Sequence, residues 1–239
     1  MIGPEVSSGQ AQLSALLRGD AHVLGAWTTT CEWPHVSRLL VLITLGAGLY
    51  GAAMGWWRAP EQALYVAIKL PLIVLLTTLG NALLNAMLAP LLGLAITFRQ
   101  SLLVVLMSFA VSAAILGAFA PVAGFLAWAA PPMSPGAVDG PTYSVIKLVH
   151  VGVIAFAGVA GSVRLFQLLA DLAGSHAVAR RVLSAWLAAN LFFGSQLAWL
   201  LRPFIGAPYL PVAFVRPDVA LRGNFYENVL RSLWDLFRP

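Results

Sequence analysis

Charge and cysteine are what this sequence has least of. Only 10% of its 239 residues are Asp, Glu, Lys or Arg, where a soluble domain carries roughly 25%. That deficit excludes a soluble globule of ordinary composition. A lone cysteine, Cys31, excludes an internal disulfide and any metal site built on several thiolates. Lysine is scarce too: 12 of the 14 basic side chains are arginine, with Lys69 and Lys147 as the exceptions. The cations sit at the ends of apolar runs and form no basic stripe interleaved with aromatics. Anionic lipid headgroups are therefore expected as partners, and nucleic acid is not. No acidic residue stands deep in an apolar run, which argues against a proton relay or a carboxylate cation site. His22, His35 and His176 lack ligand spacing, so neither a metal nor a cofactor is expected.

What is present is apolar: 60% of the residues, with a mean hydropathy of +0.85. Crossing the hydrocarbon as a helix takes about 20 such residues. Five segments qualify, at about 38–57, 64–92, 102–129, 144–165 and 182–201. Their edges carry Arg38, Trp56, Trp57, Arg58, Arg99, Trp128, Arg164, Arg180, Arg181 and Arg202, side chains suited to headgroup depth. The expected fold class is an all-α polytopic transmembrane bundle of five spans. A polar, partly disordered segment (1–36) precedes the bundle (37–203), and a tail (204–239) follows it. The first residues, Met1 to Glu5, lack a basic stretch, so the first span is read as an uncleaved signal anchor.

The second apolar segment, 63–98, is long enough to be one helix or a hairpin. Splitting it at Gly80 and Asn81 would leave halves near the lower limit for spanning and strand turn backbone in lipid. One helix ending near Pro90 and Gly93 is the expectation. Loop cations on the side of Arg38, Arg99, Arg164, Arg180 and Arg181 outnumber Arg58, Lys69, Lys147 and Arg202 by one, which favours a cytoplasmic N-terminus and an exoplasmic C-terminus.

In the tail, four prolines from Pro203 to Pro217 forbid continuous helix. Beyond them Asn224 and Glu227 have the spacing of a helix N-terminus. Phe225, Tyr226, Val229, Leu230, Leu233, Trp234 and Phe237 then build a broad apolar face on a helix too short to span. That face is the candidate docking surface for other membrane subunits.

Within the bundle, the two lysines stand in matching phrases, Tyr65-Val-Ala-Ile68-Lys69-Leu70 and Tyr143-Ser-Val-Ile146-Lys147-Leu148. With five spans they fall on one side of the membrane, beside His150, Gln196 and Arg202. Two readings follow: a polar cluster binding an anionic lipid, an ion or a partner carboxylate, or two lysines snorkelling to headgroups. Asn81, Asn85 and Asn190 read as interhelical hydrogen-bonding residues. Ser195 with His150 is the one pair that suggests an intramembrane serine hydrolase, although Gly194-Ser195-Gln196 lacks a second glycine and no oxyanion hole is visible.

The phrase Gly93-Leu-Ala-Ile-Thr97-Phe98-Arg99-Gln100-Ser101 leading into the third span, together with the order of parts over residues 37–203, resembles the Yip1-type membrane proteins and their bacterial relatives. The resemblance implies a cytosolic N-terminus, an exoplasmic C-terminus and a role in recruiting or stabilising other membrane components, with no active site. Abundant Ala, Leu, Gly and Arg with almost no Lys fits a GC-rich bacterial genome and hence an inner membrane. The expected function is a non-enzymatic accessory or scaffold subunit. The rivals are a channel or lipid-handling protein using Lys69, Lys147, His150 and Gln196, and the serine hydrolase.

Overall fold

The computed structural model describes residues 9–30, 32–133, 141–206, 210–217 and 223–237, and every regular element among them is helical. Two short helices, α1 (Gly9–Arg18) and α2 (Ala21–Thr30), lead into α3 (Trp33–Trp56), α4 (Pro60–Leu91), α5 (Phe98–Ala129), α6 (Pro141–Ala173) and α7 (His176–Leu200). After the proline-rich stretch comes α8 (Phe225–Phe237). Helices α3 to α6 are each long and apolar enough to cross a membrane. Helix α7 has a spanning length of 25 residues, but Arg180, Arg181, Asn190 and Gln196 make it less apolar than those four. The chain is a membrane-type helical bundle.

The segment 63–98 is one helix up to Leu91, as expected. Pro60 occupies the first turn of α4, where its missing N–H removes no intrahelical bond. Gly93, with φ of 94°, turns the chain out at the far end. Helix α5 starts with a full capping box: the Thr97 side chain accepts from the Gln100 backbone N–H, and the Gln100 side chain accepts from Thr97 N–H at 2.9 Å.

Small residues decide how closely the helices approach. A Cβ placed on Gly55 of α3 would fall 2.6 Å from the Gln62 carbonyl oxygen of α4, and Gly46 packs directly on the Ala113 backbone of α5. Interlocked α3, α4 and α5 thus form the centre. The core has two parts, one at each end of the bundle. The first gathers Leu39, Ile43, Leu103, Leu106, Leu165, Leu169 and Trp186; the second gathers Tyr50, Met54, Val66, Leu70, Leu116, Ile146 and Ile205.

Helical structure extends beyond the five apolar segments in two places. Of the segment expected to be partly disordered, residues 1–8 lie outside the described residues, and α1 and α2 are held where Leu16, Leu24 and Trp27 bury against the first core and the Arg164 guanidinium donates to the Leu17 carbonyl at 2.6 Å. Trp27 stacks on His35 with ring centroids 4.7 Å apart. Helices α6 and α7 run toward each other well past the apolar limits drawn for them, leaving only Gly174 and Ser175 between. Leu168, Leu169, Ala179 and Val182 are buried there and hold the extensions in place.

Candidate functional site

The second core lies under the mouth of the bundle where the tail leaves α7. Lys69, on the inner face of α4, is fully buried, and its ammonium donates to the Pro203 carbonyl at 2.8 Å. Gln62, two turns earlier on the same face, donates to the Pro203 and Phe204 carbonyls, each at 2.8 Å. The Lys69 ammonium also sits 5.0 Å from the Phe214 ring centroid and 5.7 Å from that of Phe204, within cation–π range. Tyr143 donates to Gly206 O, Arg58 donates to Leu210 O, and Tyr65 meets Phe214 edge to face. Side chains of α4, α6 and the α3–α4 turn thus hold Pro203, Phe204, Gly206, Leu210 and Phe214 of the tail against this end of the bundle as a strap.

The five predicted cluster residues therefore go to separate tasks. Lys147 is partly exposed and donates to Asn228 Oδ1 of α8 at 3.2 Å. His150, one turn later on α6, is buried with its Nδ1 2.9 Å from the hydroxyl of Tyr50 on α3. Gln196 is exposed on α7. Arg202 folds over Trp199, its guanidinium carbon 3.7 Å from the ring centroid. Lys69 and Lys147 share one end of the bundle, but Lys69 faces the strap and Lys147 faces α8. Ser195 donates to the Phe192 carbonyl of its own helix. No hydrogen bond joins Ser195 to His150 among the described residues.

Sequence reasoning missed Gln62, Tyr50 and the strap. Gln62 was available as a signal, seven residues before Lys69 and so on the same helix face.

The α8 helix begins as expected: Asn224 Oδ1 accepts from Glu227 N–H at 2.9 Å. The Glu227 carboxylate pairs with Arg231 at 3.2 Å instead of reaching back to the cap. Val229 and buried Ser232 turn toward the bundle, and Tyr226 donates to Leu191 O of α7. Leu230, Leu233 and Trp234 face outward, the last at 63% exposure, and line an open groove with Tyr226, Glu227 and Arg231. Phe237 ends the helix and its side chain lies outside the described residues.

No family model, curated protein or solved structure matches this chain.

Proposed function

We propose that the chain is a non-enzymatic integral membrane protein that serves as an accessory or scaffold subunit of a membrane complex, with the outward face of α8 as its contact surface. The observation that carries this reading is the way α8 is held. Lys147–Asn228, Tyr226–Leu191 and buried Ser232 fix the helix to α6 and α7 while Leu230, Leu233 and Trp234 point away. A helix oriented by polar contacts on one side, with large apolar side chains exposed on the other, is preorganised to receive an apolar partner surface. The occupant proposed is a membrane-embedded helix of another subunit.

The groups that transport or hydrolysis would use support the same reading by their present contacts. The Lys69 ammonium meets a backbone carbonyl, His150 meets Tyr50, and Ser195 meets its own helix.

The proposed location is a bacterial inner membrane with a cytoplasmic N-terminus, a side on which Arg38, Arg99, Arg180 and Arg181 are exposed for anionic headgroups. The Yip1-type resemblance points to the same recruiting role.

The test is to compare the native chain with a Leu230→Glu, Trp234→Glu variant after gentle detergent extraction. One discrete subunit retained at fixed stoichiometry by the native chain and lost from the variant supports the proposal. Equal behaviour of the two chains overturns it.

A further inference from the structure

Helices α4 and α7 run antiparallel in a register that several contacts define. A Cβ on Gly80 would lie 3.6 Å from the Phe193 ring, one on Gly194 3.9 Å from Thr77 Oγ1, and one on Gly93 3.8 Å from Val178. Asn81 donates to Asn190 across the same interface. Each step forward on α4 is matched by an equal step back on α7. Asn85 therefore lies level with Trp186.

Thr77, Asn81 and Asn85 recur every four residues and form a buried polar stripe on α4; none is more than 3% exposed. Their hydrogen bonding is incomplete. Thr77 Oγ1, Asn81 Oδ1, both polar atoms of the Asn85 amide and the Nε1 of fully buried Trp186 have no hydrogen-bond partner among the described residues. Leaving such groups unpaired in a bundle interior costs about 1–3 kcal/mol each. Several of them in one seam need a ligand.

We propose that the α4–α7 seam is a binding site for ordered water, held by Thr77, Asn81, Asn85 and Trp186. The chemistry selects water over an ion. Trp186 Nε1 and Asn85 Nδ2 can only donate, whereas the Asn81 and Asn85 carbonyl oxygens can only accept. A cation would leave the donors unanswered and an anion the acceptors, but a water molecule serves both. Spacing agrees: residues four apart on a helix rise about 6 Å, and one water accepting and donating at about 2.8 Å spans about 5.6 Å. On the order of one water in each gap of the stripe satisfies the seam, with roughly three hydrogen bonds per water.

The site is closed at both ends. Ile73, one turn before Thr77, and Ala89, one turn after Asn85, are buried and apolar, and the register sets Ala89 opposite buried Val182. The stripe is a closed, hydrated seam that couples α4 to α7, not a pore.

Two measurements decide it. In native protein in bilayers, water-edited solid-state NMR reads magnetisation transfer from water to the Asn85 side-chain amide, with Asn85→Leu used to assign the signal. Fast transfer supports the site; transfer as slow as that of dry core amides overturns it. Thermal unfolding of Asn85→Leu gives an independent sign. A dry, unpaired Asn85 predicts that leucine leaves the melting temperature unchanged or raises it, which contradicts the proposal. Displacing bound water strands Trp186 Nε1 and Asn81 Oδ1, and the expected result is a fall of about 3–6 °C.

Discussion

The Lys69 ammonium and the Pro203 carbonyl oxygen are 2.8 Å apart, with the lysine fully buried. A cation nine residues into a membrane helix thereby ties down the strap that closes the bundle's mouth, together with Gln62. Removing both donors leaves the Pro203 and Phe204 carbonyls without these partners. We expect Gln62→Leu, Lys69→Met to be cut by chymotrypsin after Phe204 and Phe214 about tenfold faster than the native chain, the shift produced by about 1.4 kcal/mol. Unchanged cleavage would mean that the strap is held by other contacts.

The Tyr50–His150 pair links α3 to α6 inside the second core. Tyr50→Phe keeps the ring and deletes the hydroxyl, so a buried imidazole nitrogen loses its partner. A double-mutant cycle with His150→Leu should return a coupling of about 1 kcal/mol in unfolding free energy. Additive single effects would dissociate the pair energetically.

Helix approach offers a contrast between two glycines. An alanine at Gly55 would press on the Gln62 carbonyl at 2.6 Å and the Ala63 Cα at 2.8 Å, and Gly55→Ala should lose about 2 kcal/mol. At Gly158 a Cβ meets nothing within 4 Å, so Gly158→Ala should gain about 0.5–1 kcal/mol from the unfolded chain's reduced freedom. Thermal unfolding of the two variants should move in opposite directions.

The Thr97 cap explains part of the phrase from Gly93 to Ser101, since Thr97 and Gln100 supply reciprocal bonds at the start of α5 and Ser101 donates to Ala82 O on α4. Thr97→Ala should cost about 1 kcal/mol and Thr97→Ser should restore most of it. Chemical denaturation of the three proteins measures this directly.

Helix positions were legible because the bilayer demands long apolar runs, and because a hairpin at Gly80–Asn81 would have exposed backbone to lipid. The docking of α1 and α2 was not, since their burial depends on the start of α5 and the end of α6, distant in sequence. Among the described residues of the stretch the tail prolines exclude α-helix as expected, but composition does not say whether an extended segment hangs free or folds back. The polar cluster dispersed for a rotational reason: sharing a depth does not make residues share a direction. Lys147 and His150 are one turn apart, yet they meet α8 and α3 respectively. Asn81 and Asn190 were read correctly as interhelical hydrogen-bonding residues; the register that sets Asn85 level with Trp186 required the packed helices.

Site-specific photocrosslinking in intact membranes tests whether the outward face of α8 receives another membrane subunit. A photoreactive residue is placed in turn at Leu230, Leu233 and Trp234, with inward-facing Val229 as the control. The account predicts that the three outward positions capture one and the same membrane subunit and that Val229 captures α6 or α7 of its own chain. Capture of lipid alone from all three outward positions would contradict it and leave α8 as an interfacial helix without a protein partner.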